Sequence, residues 1–142
     1  GRHLRLRRSM MTAGSFFHHS LLVALGGGIG AWLRFAAGRL FGLSAFPLAT
    51  LSVNLIGSLA MGLLAGWLAR HGADGGEGGE SWRLLLGVGL LGGFTTFSAF
   101  SLELVNLIQR GQSGMAALYA ALSVLGGIAG LFAGLALART FA

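Results

Sequence analysis

Apolar residues fill four long stretches of the chain, each bounded by glycine, proline or charge. They run from about Ser20 to Phe41, Leu48 to Ala69, Trp82 to Ile108 and Met115 to Ala138. About 20 helical residues cross a hydrocarbon core, so each stretch predicts a membrane-spanning helix. Pro47 stands just before the second stretch, where its missing N–H costs a helix nothing. Gly42 to Phe46 and Gly111 to Gly114 predict short connections. His71 to Ser81, with Asp74, Glu77 and Glu80 among glycines, predicts a solvated acidic loop. An even number of spans puts both ends of the chain on one side.

The third stretch departs from plain hydrocarbon at Gly92-Gly93-Phe94-Thr95-Thr96-Phe97-Ser98-Ala99-Phe100-Ser101. Polar groups inside a membrane are costly and mark pathways or binding sites. Irregular backbone is tolerated there only where protein or a water-filled cavity receives its freed groups. The diglycine and the hydroxyls predict a third helix broken mid-span. A break from Gly92 to Thr95 frees carbonyl oxygens, hard ligands suited to a small cation. Phe94, Phe97 and Phe100 are spaced by three. Such a stripe either packs in a core or turns its positive ring edges toward an anion.

Thr50, Asn54 and Ser58 share one face of the second helix, and Tyr119 and Ser123 one face of the fourth. Asn54 serves either as an interhelical hydrogen bond or as a donor to an anion. Ser101 and its neighbouring hydroxyls either fold back on the preceding turn or line a polar track. Glu103 is the only acid within a span and Arg34 the only arginine well inside one. Each either snorkels to the headgroups or pairs with the other.

Composition agrees with a membrane protein. Of 142 residues 54% are hydrophobic and 10% charged, against roughly 25% charged in soluble domains. Mean hydropathy is +0.76. Cysteine is absent, which excludes disulfides and thiolate metal sites. Every basic side chain is arginine, scattered at the ends of apolar runs or packed into the first eight residues, which is no nucleic-acid footprint. Residues 1–19 read as a basic, disordered arm set apart from a spanning domain of residues 20–142. Met10 and Met11 are alternative starts.

Arginines beyond the arm are nearly balanced: Arg70, Arg83 and Arg139 on one side, Arg39, Arg110 and the deeper Arg34 on the other. Orientation follows Lys/Arg bias in short loops. Such balance predicts insertion both ways round and an antiparallel homodimer, although the arm's own arginines would disturb it. Glycines at four-residue spacing (Gly26/Gly30, Gly38/Gly42, Gly62/Gly66, Gly89/Gly93, Gly126/Gly130/Gly134) predict close helix packing. No serine–histidine–acid set or paired carboxylate is present, so the chain is not read as an enzyme.

Three segments together resemble the CrcB/Fluc fluoride channel family: Gly27-Gly28-Ile29-Gly30-Ala31-Trp32-Leu33-Arg34-Phe35, Thr50-Leu51-Ser52-Val53-Asn54-Leu55-Ile56-Gly57-Ser58, and Gly92 through Ser101. The resemblance covers roughly Leu21 to Arg139. It implies an all-α integral membrane protein of the bacterial plasma membrane, a dual-topology antiparallel homodimer with two fluoride pores. It implies a structural sodium ion held by the backbone carbonyls of Gly92 and Thr95 from both subunits. It places Phe97 and Phe100 as ring edges on fluoride and Asn54 as a donor. Tyr119 and Ser123 become a hydroxyl track with Glu103 near its end, and Arg34 an attractor at a vestibule. Thr50 and Ser101 complete the pathway candidates. Ala99 stands where the family usually has threonine, and Gly127 where relatives can have serine. The competing reading is a proton-coupled small multidrug transporter, which needs an acid in the first span; none is there.

Overall fold

The computed structural model describes residues 1–42, 46–71 and 77–141. Among them four helical stretches are long and apolar enough to cross a membrane: Arg2–Phe41, Leu48–His71, Gly78–Gln109 and Ser113–Thr140. The first is helix α1 (Arg2–Phe41), the second α2 (Leu48–His71) and the fourth α6 (Ser113–Thr140). The third is composite: α3 (Glu77–Trp82), a π-helical segment (Arg83–Leu91), α4 (Gly92–Phe94) and α5 (Phe97–Gln109).

Three differences from the sequence reading stand out. The basic arm set apart as disordered is helical, continuous with the first span. At about 1.5 Å per residue its 40 residues make a rod of ~60 Å, twice the ~30 Å hydrocarbon core. The expected acidic loop ends early, because α3 begins at Glu77; its residues 72–76, like 43–45 of the first connection, lie outside the described residues. The third span was expected to be α-helical on both sides of its irregular point, yet Arg83–Leu91 is π-helical. The wider coil leaves the Gly92 N–H shared between the carbonyls of Gly87 and Gly89.

Glycine decides which helices meet. On one side α1 lies against the π-helical segment, and a methyl on Gly30 would overlap the Leu90 carbonyl oxygen. One on Gly93 would overlap that of Gly27. On the other side α2 packs on α6, where methyls on Gly62 and Gly134 would overlap the carbonyls of Leu131 and Leu59. Apolar burial drives no association in lipid, so close backbone approach must supply the contact. The Gly38/Gly42 pair takes no part, since neither has a heavy atom within 4 Å of a would-be methyl.

The interior is small and lies at one end. Leu51, Leu107, Ala116 and Tyr119 are buried together, with Phe46, Phe100 and Leu104 packed on them. Trp32, Phe35, Leu125 and Phe132 lie open, as side chains facing hydrocarbon or a second chain do.

Candidate functional site

Helical hydrogen bonding stops at Thr95 and Thr96, whose backbones are extended (φ −87°, ψ 158° and φ −151°, ψ 119°). Side chains take over the vacated partners. Asn54 on α2 clamps Thr96 from both sides: the Thr96 N–H donates to Asn54 Oδ1 at 2.8 Å, and Asn54 Nδ2 donates to the Thr96 carbonyl at 3.1 Å. The Thr96 hydroxyl caps α5 by accepting from Ala99 N–H at 3.1 Å. Arg34 Nε donates to the Gly93 carbonyl at 3.1 Å, and the Thr95 hydroxyl to the Leu91 carbonyl at 2.8 Å.

Those bonds sort the carbonyls of the segment. In an unbroken α-helix the Gly92 carbonyl would accept from Thr96 N–H and the Thr95 carbonyl from Ala99 N–H. Asn54 takes the first donor and the Thr96 hydroxyl the second. Gly93 and Thr96 carbonyls have side-chain donors instead, whereas Gly92 and Thr95 carbonyls have lost their helical ones. Two carbonyl oxygens without helical donors are hard ligands of the type a small cation such as sodium takes, and they make up part of such a ligand set.

A cavity of about 330 Å³ opens beside this segment. Asn54, Ser58, Thr95, Phe97, Phe100 and Ser123 are among its lining residues. Gly57 lets α2 come this close, because a methyl there would overlap Thr95 Cγ2. The Ser123 hydroxyl oxygen is buried in the wall and has no hydrogen-bond partner among the described residues. An unmet buried hydroxyl costs about 1–3 kcal/mol and points to something that completes it. Phe97 is 80% exposed in the single chain, at 5.9 Å between ring centroids from Phe100.

A second cluster lies one turn further along the same helices. Glu103 accepts from the Thr50 hydroxyl at 2.7 Å and from the Tyr119 hydroxyl at 2.8 Å, so each carboxylate oxygen has a donor. Tyr119 is fully buried; Phe100 packs on it at 5.1 Å and Phe46 meets it edge-on at 5.6 Å. Beyond them is a hollow of about 170 Å³ that Thr50 and Glu103 line.

The structure thus gathers Asn54, Phe97, Phe100, Ser123 and Thr95 at one cavity, and Thr50 and Glu103 at the next, with the buried Tyr119 donating to Glu103 from behind. Gly92 follows directly on the π-helical segment and lines neither. Ser101 lines neither cavity, and its hydroxyl donates back to the Phe97 carbonyl at 3.0 Å. Arg34 reaches Gly93 and not Glu103, so the pairing left open between Arg34 and Glu103 is not formed. Sequence reasoning put Ser58 on the Asn54 face and Thr96 in the hydroxyl run without naming either among the pathway residues. The spacing of Ser58 from Asn54 carried that signal; nothing in the sequence pointed to Phe46.

Four helices long and apolar enough to span a membrane, with an uncharged cavity lined in part by Asn54, Ser58, Thr95 and Ser123 at a backbone irregularity, define the class as a polytopic membrane protein with a polar site inside its spans. The profile of the family described as CrcB-like protein, Camphor Resistance (CrcB), matches residues 21–135. The chain belongs to the CrcB family. It is 59% identical over 134 residues to a protein of Novosphingobium aromaticivorans named fluoride-specific ion channel FluC, covering 91% of this chain and 98% of that one. Similar proteins of the same name occur in Caulobacter sp. strain K31 (51% identical, 84% of this chain, 93% of that one) and Hyphomonas neptunium (54%, 84% and 94%). With bacterial relatives and four spanning helices, it is a multi-pass protein of the bacterial inner membrane.

Proposed function

We propose that the chain is one half of a fluoride-selective channel, working as an antiparallel homodimer that lets fluoride leave the cytoplasm passively. The observation that carries this reading is the unpartnered Ser123 hydroxyl in a cavity shared with Asn54, Phe97 and Phe100. Fluoride is small and strongly hydrated. A pore must replace its water with close donors, enough to admit the ion and too few to trap it. Hydroxyl and amide hydrogens with phenyl ring edges offer that replacement without a fixed charge. The inside-negative membrane potential then supplies the outward drive.

The carbonyls of Gly92 and Thr95, contributed by both chains, would hold the sodium ion. Its charge would supply electrostatic balance for the anion path. Asn54 fits a second task in this reading: by taking the Thr96 N–H it keeps the Gly92 carbonyl available. Near-balanced arginines support pairing of oppositely inserted copies, and the 80% exposure of Phe97 supports a second chain covering it. A proton-coupled transporter is not favoured, because α1 carries no carboxylate to take up the proton.

The test is efflux from liposomes containing the purified chain, followed with an ion-selective electrode. Fluoride should leave rapidly without a proton gradient, and chloride hardly at all. Efflux that requires a proton gradient would end the channel reading.

A further inference from the structure

We propose that the 170 Å³ hollow lined by Thr50 and Glu103 is an aqueous mouth for small monovalent anions, and that Arg110 is the charge that gathers them there. The inference rests on the channel reading and adds a residue to which that reading gives no role. The hollow has far more room than the ~30 Å³ a water molecule takes up in the liquid. It leads inward to the Thr50–Glu103–Tyr119 cluster, one helical turn from the cavity that holds Asn54 and Ser123.

Arg110 ends α5 and is exposed at the rim. It is the only arginine lining either of these two cavities. It forms no ion pair among the described residues, where the single salt bridge joins Arg83 to Glu80. Glu103, the acid in the same hollow, has its two oxygens engaged by Thr50 and Tyr119. An anion entering this opening meets the exposed, unpaired guanidinium at the rim, with Asn106 as a neutral donor, before it comes near the half-buried Glu103 carboxylate, whose negative charge the two hydroxyls hold in place. Low-dielectric walls focus the field of a charge at an opening and raise the local counter-ion concentration there, so the rim position of Arg110, outside Glu103, is what the recruitment rests on. Arg110 also offsets the negative end of the α5 dipole, a purely structural task that the test must separate from recruitment.

Single-channel fluoride currents through the full chain in planar bilayers make that separation. The ionic strength is raised with an impermeant salt from ~10 mM to ~1 M, which shortens the Debye length from ~30 Å to ~3 Å. Wild-type current should fall as salt rises. Arg110→Gln should reduce the low-salt current roughly two- to tenfold, the low end of electrostatic focusing, and flatten its salt dependence. Arg110→Lys should restore both. Arg39→Gln, on the same side but lining neither cavity, should behave as wild type. The proposal is overturned if Arg110→Gln keeps the wild-type salt slope, or if Arg39→Gln reproduces the loss. If the wild-type chain passes no fluoride at all, the channel reading fails and this proposal falls with it.

Discussion

The seam between α2 and α6 and the segment from Gly92 to Phe97 solve the same problem in opposite ways. Both must satisfy backbone polar groups where lipid offers no hydrogen bonds. Along the seam the helices are regular, each satisfies its own backbone, and Gly62 and Gly134 remove side chains so that backbones touch. At the irregular segment the backbone gives up its own partners, and Asn54, Arg34 and the Thr96 hydroxyl replace them. The first arrangement tolerates no added atom; the second tolerates no lost donor. Stability is concentrated in one and chemistry in the other.

Substitutions can break that contrast, and the largest effect belongs to the seam. Gly62→Val drives a branched side chain into the Leu131 carbonyl, and overpacking typically costs about 1–3 kcal/mol, here at the upper end because the obstacle is backbone. Size-exclusion profiles and thermal unfolding in detergent should show a poorly folded or aggregated chain; a wild-type profile would refute the seam. Asn54→Asp comes next. It removes the donor to the Thr96 carbonyl, a loss of about 1–3 kcal/mol. It also places an acid at the cavity wall. Fluoride current should drop at least ~10-fold, where each tenfold is about 1.4 kcal/mol of barrier, and a normal current would remove Asn54 from the pathway.

Ser123→Ala sharpens the comparison, because it deletes a hydroxyl that has no hydrogen-bond partner among the described residues. Thermal stability should hold or rise slightly, while current falls about fivefold for the loss of ~1 kcal/mol of ion contact. Equal losses in both would make Ser123 structural. Phe97→Ile acts alike, slowing fluoride while the chain stays folded, since Phe97 is mostly exposed in the single chain. The smallest effect belongs to Gly38→Ala, at a glycine that touches nothing. It should gain about 0.5–1 kcal/mol in helix stability and leave the current unchanged.

The four spans were legible because about 20 apolar residues in a row have few other uses. The glycine contacts were half legible: spacing of four identified Gly30, Gly62, Gly93 and Gly134 as small, but gave Gly38 and Gly42 the same standing. Only the neighbouring helix distinguishes them. The faces of the polar residues were legible from periodicity, and their partners were not. Nothing in the spacing of Thr50 and Tyr119 says that both donate to one carboxylate, 53 and 16 residues away. Arg34 shows the same limit, since a half-buried guanidinium can donate to a backbone carbonyl as well as to an acid. The π-helical segment had no warning at all, because Arg83–Leu91 has ordinary helical composition.

The unbroken course of α1 carries a consequence for the whole assembly. Because Arg2, Arg5, Arg7 and Arg8 continue the same rod as the first span, each copy would hold its cationic end stiffly outside the bilayer. Two copies inserted head to tail would then display one such antenna in each compartment. Trypsin added outside sealed vesicles should clip half of them and spare the rest.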